Sequence, residues 1–173
     1  PDSCVLKLSG KPLAEGEFRG PARVFESEAE AMAAIRADSI QKGDVIVVRN
    51  VGPVGEPGMP EMVMLTVQLQ GRGLGKDVAL ITDGRFSGVS HGILIGHMSP
   101  EAARGGPIAA IRDGDTIVID PNARTVNIEL PDTEIDARMQ AWSTPDLNQK
   151  VRPGSVRHKY ARLVSSAAKG CVL

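Results

Sequence analysis

No run of eighteen apolar residues occurs in the chain, so the sequence holds no candidate transmembrane helix. The opening Pro1-Asp2-Ser3 lacks the charged-then-apolar succession of a secretory signal, and the expected compartment is cytoplasmic. No Met precedes Pro1, from which residues 1–173 are expected to be part of a longer polypeptide. Cysteine is scarce: Cys4 and Cys171 stand near opposite ends, offer neither a disulfide framework nor a CxxC metal motif, and read as unpaired thiols. Neither sign of charge dominates, because 20 Lys plus Arg face 21 Asp plus Glu for a formal charge of −1. Nucleic acid and anionic membrane surfaces are therefore not expected as partners. Internal repeats and low-complexity tracts are also missing.

What remains is the composition of a folded domain. The apolar share is 42%, and a chain of this length buries roughly 70% of its unfolded surface. Nineteen Gly and twelve Pro predict many tight turns. β-Branched and apolar runs bounded by turn residues predict seven strands, at 4–8, 22–25, 45–48, 78–82, 93–95, 116–119 and 125–128. Ser27, with Glu30 three places on, predicts a helix start by a capping box, and that helix ends near Asp38. Pro60, suited to a first helical position, opens a second helical pattern that Gly71 and Gly73 stop. Residues 132–142 and 156–167 complete the helices. Connections such as 120–124 are too short for a helical crossover, so the sheet is not doubly wound. The expected fold is mixed α/β: a compact, barrel-like β body with helices packed outside.

Two loops carry the chemistry. The first runs from Gly52 to Glu61 and holds three Gly and three Pro between a strand and a helix. A loop so rigid fixes its neighbours. Its Glu61 has two readings: a first-turn carboxylate facing the helix dipole, or an oxygen ligand for a hard cation such as magnesium. The second loop is Thr82-Asp83-Gly84-Arg85-Phe86-Ser87-Gly88-Val89-Ser90-His91-Gly92, where glycines let the backbone approach a ligand and two serine hydroxyls and a His stand together.

Within it, Gly88-Val89-Ser90-His91-Gly92 fits G-x-S-x-G, the nucleophile elbow of serine hydrolases, with Ser90 as nucleophile. That elbow should turn into a helix, whereas Ile93-Leu94-Ile95 follows, and no HGGG-type oxyanion segment lies upstream. Gly71-Arg72-Gly73-Leu74-Gly75-Lys76 fails both the Walker and the dinucleotide patterns, and helix termination accounts for its glycines. His91, His97 and His158 lack zinc-ligand spacing.

Taken together, several segments resemble the carboxy-terminal domain of the dihydroxy-acid dehydratase and phosphogluconate dehydratase family. They are Gly20-Pro21-Ala22-Arg23-Val24-Phe25, Gly43-Asp44-Val45, the Gly52 to Met62 loop, Gly73-Leu74-Gly75, Thr82 to Gly88, Gly96-His97-Met98-Ser99-Pro100-Glu101-Ala102 and Gly105-Gly106-Pro107-Ile108. The resemblance implies a swivelling β/β/α domain and a hydro-lyase that dehydrates a 2,3-dihydroxy carboxylic acid to a 2-keto acid. It further implies that Ser87 is the base, that Ser87, Gly88 and Ser90 meet the substrate, and that Glu61 is a magnesium ligand. An iron–sulfur cluster, a large amino-terminal domain and a homodimer complete the implied enzyme. The cluster ligands would lie in that amino-terminal domain, so the fragment alone is expected to be inactive and to bind no cluster.

Val89 stands where branched-chain members usually have a second glycine, and Glu56 interrupts the usual Gly-Gly-Pro. Ile95-Gly96-His97-Met98-Ser99-Pro100 is nonetheless closer to the branched-chain type than to the sugar-acid type. The branched-chain substrate is therefore expected. The alternatives are a sugar-acid (aldonate or phosphogluconate) dehydratase and a non-catalytic binding module on the same fold.

Overall fold

The computed structural model describes residues 2–8 and 16–173. Seven strands form one mixed sheet: β1 (Ser3–Leu8), β2 (Phe18–Phe25), β3 (Val45–Val48), β4 (Ala79–Thr82), β5 (Ile93–Ser99), β6 (Thr116–Asp120) and β7 (Thr125–Ile128). Each overlaps its expected run. The spatial order is β1-β5-β4-β3-β2-β6-β7. The four central strands are parallel, and antiparallel strands flank them, β1 on β5, β6 on β2 and β7 on β6. Because the parallel strands succeed one another in a single direction across the sheet, the fold is singly wound. The sheet curls into a half-barrel, with Cys4 and Leu6 of β1 and Thr125 and Val126 at β7 lining one common cavity of about 230 Å³.

Alternation along the strands divides the core in two. On the outer face Ile46, Val48, Leu80 and Leu94 pack under two helices, α1 (Glu28–Arg36) and α2 (Val63–Gly71), through Ala31, Ile35, Leu65 and Leu69. On the concave face Val45, Val47, Ala79, Ile81, Ile93 and Ile95 meet Ile117 and Ile119 of β6 and the short turns holding Ala102, Ile108 and Ile111. Strands β3 and β4 are buried along their whole length, which is why they read as apolar and β-branched runs without alternation. α3 (Asp132–Gln140) packs beside the concave cluster through Met139, and Trp142 beyond it stacks on the Arg49 guanidinium at 4.7 Å.

Helix α1 starts as expected: the Ser27 hydroxyl accepts from the Glu30 N–H. The Glu30 carboxylate reaches back one residue further, to the Glu26 N–H. Helix α2 departs from expectation. It begins at Val63 rather than Pro60, because residue 61 is extended and bridges Arg85 in parallel, with the Met62 N–H donating to the Arg85 carbonyl at 3.1 Å. The last helix is also shorter than expected. After the single turn α4 (Leu147–Lys150), α5 (Val156–Leu163) stops at Val164, whose extended backbone offers its carbonyl to Arg104. No helix among the described residues is long and apolar enough to cross a membrane.

Helices α1 and α2 are the crossovers from β2 to β3 and from β3 to β4. Between the parallel pair β4 and β5 there is no helix, and residues 83–92 make the crossover as a loop, its Phe86 packed on the outer-face cluster.

Candidate active site at the ends of the parallel strands

The two chemistry-bearing loops follow the carboxyl ends of β3 and β4, the edge where open α/β sheets bind ligands. Buried carboxylates organise them. Asp83, fully buried, accepts from the N–H groups of Asn50 and Val51 at 3.0 Å and of Ala102 at 2.9 Å, joining the segments that follow β3, β4 and β5. Burial pushes its carboxyl above the usual range, while those N–H donors pull the other way. Glu101 lies under the first loop and accepts from Val54 N–H at 3.0 Å and Gly55 N–H at 2.8 Å. Its carboxyl is also raised, mainly by burial and further by Asp83, against the pull of the Gly55 and Val54 N–H groups and of Arg104.

The closeness of these contacts explains two glycines. A Cβ at Gly52 would lie 2.7 Å from the Glu101 carboxylate, and one at Gly55 only 2.6 Å from the Asn50 carbonyl carbon. Gly55→Ala is accordingly expected to destabilise the fold by about 1–3 kcal/mol, read as a lowered urea midpoint, since rigid backbone rather than a movable side chain stands in the way.

Arg85 zips the loops together. Its Nε donates to the Met59 carbonyl at 2.6 Å, and its Nη1 stands 3.8 Å from Glu61 Oε2. Glu61 is thereby held outside any helix, its side chain 44% exposed, so the reading of Glu61 as a first-turn carboxylate is overturned: the Arg85 bridge has taken residue 61 into extended backbone. Ser87, two residues beyond Arg85, is half-buried, and its carbonyl accepts from the Ser90 N–H at 3.1 Å. Gly88 is exposed, its carbonyl accepting from Lys7 of β1, and Val89 beside it is 72% exposed. His97 donates its N–H to the Gly84 carbonyl at 2.8 Å, and burial, aided by the Arg85 charge, lowers its imidazole pKa.

Ser90 is more deeply buried than Ser87. Only 2% exposed, it accepts from the Thr66 hydroxyl of α2 at 3.2 Å, which makes it a support of the loop. The segment following it is strand β5, so the strand-to-helix turn of a hydrolase elbow is absent here.

Asp83, Arg85 and Glu101 escaped assignment from sequence, although Asp83 left one signal, a carboxylate set directly after the apolar and β-branched strand Ala79-Leu80-Ile81-Thr82. Among the described residues no group of three or more His, Cys, Asp or Glu is arranged to hold a metal ion. Glu61 fits a hard cation as one exposed carboxylate oxygen donor within a larger ligand set. Cys4 on β1 and Cys171 beyond α5 are free thiols, each raised in pKa chiefly by burial, and form no ligand set.

The profile of the dihydroxy-acid/6-phosphogluconate dehydratase C-terminal family matches residues 1–171. Proteins named dihydroxy-acid dehydratase are similar throughout: one from Francisella tularensis subsp. novicida is 51% identical over 99% of this chain, and one from Metallosphaera sedula 49% identical over 100%. A third, from Acetivibrio thermocellus, is 51% identical over 100% of the chain. The chain spans about 30% of the length of these curated relatives, 30% of the first two and 31% of the third. With a family match over almost every residue and half of the positions identical to those relatives, the chain belongs to the dihydroxy-acid/6-phosphogluconate dehydratase C-terminal family.

Proposed function

We propose that this chain supplies the base and one magnesium ligand of a hydro-lyase that converts a 2,3-dihydroxy carboxylate of the branched-chain type to its 2-keto acid. The observation that carries this reading is the Glu61–Arg85 bridge, which ties the Ser87 loop to the Glu61 loop at the ligand-binding edge of the sheet. Similarity to proteins named dihydroxy-acid dehydratase supports the substrate class.

In this reading Ser87 takes the proton from the carbon beside the substrate carboxylate. A serine hydroxyl is too weakly acidic to do so unaided, so its conjugate alkoxide needs a neighbouring cation. When bound, magnesium and an iron–sulfur cluster supply the Lewis acidity that stabilises an alkoxide and draws off the departing hydroxyl. Glu61 contributes a carboxylate to the magnesium, and the other ligands come from the rest of the polypeptide. Gly88, without a side chain, leaves room for substrate beside the base, and Val89 borders it. Ser90 holds the loop through Thr66. The working enzyme would pair this domain with its amino-terminal one and dimerise, in the cytoplasm.

The test is keto-acid formation by the anaerobically purified full-length gene product. Its kcat/KM for 2,3-dihydroxyisovalerate should exceed that for gluconate or 6-phosphogluconate by about 10²-fold. The reverse order would transfer the substrate to the sugar acids. No turnover of any of them by cluster-loaded protein would overturn the enzyme reading and leave a binding module.

A further inference from the structure

The loop that presents Glu61 has left-handed backbone at both ends. Asn50 sits at φ 61°, left-handed backbone that Asn tolerates better than other side-chain-bearing residues, and Met59 at φ 41°, where the surroundings must impose it. From below, Asp83 and Glu101 hold residues 50, 51, 54 and 55. From above, a different part of the chain meets the same loop at three points. Lys150 Nζ donates to the Asn50 carbonyl at 2.8 Å, Arg157 Nε donates to the Pro57 carbonyl at 3.1 Å, and the Cys171 sulfur lies 3.8 Å from the Met59 sulfur. Two of the three contacts fall on the left-handed residues themselves.

That overlying segment is itself anchored to the scaffold. Val151 and Val164 are buried, Arg104 donates to the Val164 carbonyl at 2.7 Å, and the Ala168 N–H donates to the Ser99 hydroxyl at 3.3 Å. The turn after α5 closes on itself through Ser165 N–H to the Val172 carbonyl, at 2.8 Å, and Cys171 N–H to the Ser166 carbonyl, at 3.2 Å. Its contacts on the loop are thus made from fixed positions. Both cationic side chains bind main-chain carbonyls, so they constrain the path of the backbone, two and four residues from Met59 and Glu61 in the case of Arg157.

We propose that residues 150–171 form a clasp that sets the position of Glu61, with Arg157 and Lys150 as positioning residues. The mechanical part of this inference stands on the contacts alone, and its catalytic consequence rests on the reading of Glu61 as a magnesium ligand. Two readouts on the full-length protein separate them. In the Arg157→Ala, Lys150→Ala double variant, amide hydrogen exchange in peptides covering residues 52–61 should accelerate by roughly ten-fold, while peptides covering β3, β4 and β5 keep their native rates. The magnesium concentration giving half-maximal activity should rise by about ten-fold, with turnover recovered at saturating magnesium, and Arg157→Lys should restore most of the loss because it keeps a donor to the Pro57 carbonyl. Unchanged exchange in the loop, or acceleration spread evenly through the domain, would overturn the clasp. A faster-exchanging loop with an unchanged magnesium dependence would retain the clasp and remove Glu61 from the metal.

Discussion

Replacing Ser87 by Ala in the full-length protein is expected to lower kcat by about 10²- to 10⁴-fold, the range that a positioned acid or base contributes. The substitution removes a single oxygen. What holds the loop is elsewhere: the Ser87 carbonyl bonded to Ser90 N–H, the Glu61–Arg85 bridge, and Asp83 at the loop's root. The melting temperature should therefore stay at its native value, and the lost activity reports chemistry rather than folding. Because proton abstraction is an interaction of the transition state, kcat and kcat/KM should fall together with KM little changed. Keto-acid assays at several substrate concentrations, alongside a thermal melt, decide the matter. A variant retaining activity within about threefold of native would exclude Ser87 as the base.

Asp83→Ala is expected to have the largest effect on stability, a loss of about 3–5 kcal/mol, because each buried donor left unsatisfied costs about 1–3 kcal/mol and three are left at once. The carboxylate is fully buried and satisfies three main-chain N–H groups, from Asn50, Val51 and Ala102. Deleting it leaves three buried donors facing a void, at the point where the segments after β3 and β5 meet. Asp83→Asn preserves the volume and relieves less than it would elsewhere. Its amide keeps one acceptor oxygen but turns an NH₂ donor toward backbone donors. The urea midpoint should fall for both variants, further for Ala, with the denaturant slope unchanged. A shift equivalent to less than about 1 kcal/mol for Asp83→Ala would mean that water replaces the carboxylate at the junction.

The strands were legible because their physics is local. Val45-Ile46-Val47-Val48 and Ala79-Leu80-Ile81-Thr82 are buried on both faces and read as apolar runs, while β6 alternates buried and half-buried residues. The Ser27 cap was legible for the same reason. Pro60 misled because its preference for a first helical position is a local rule, whereas the contact that keeps residue 61 extended comes from Arg85, 24 residues away. Both loops were found from their glycines and prolines. Which of the two serines is the more deeply buried was not readable, since it is Thr66 on distant α2 that covers Ser90. The end of α5 at Val164 escaped in the same manner, through a bond from distant Arg104.

The helix-free crossover between β4 and β5 sets a limit on the length of the segment that carries Ser87. Ten residues, 83–92, must return from the end of one strand to the start of its parallel neighbour, close to the shortest span that such a connection allows, about 10–12 residues. The same ten residues carry Ser87. Shortening the segment would pull the two strands out of alignment, and lengthening it would displace the hydroxyl. Exchanges at fixed length are thus the changes this segment is expected to accept, and Val89, 72% exposed, is a position where an exchange disturbs little packing.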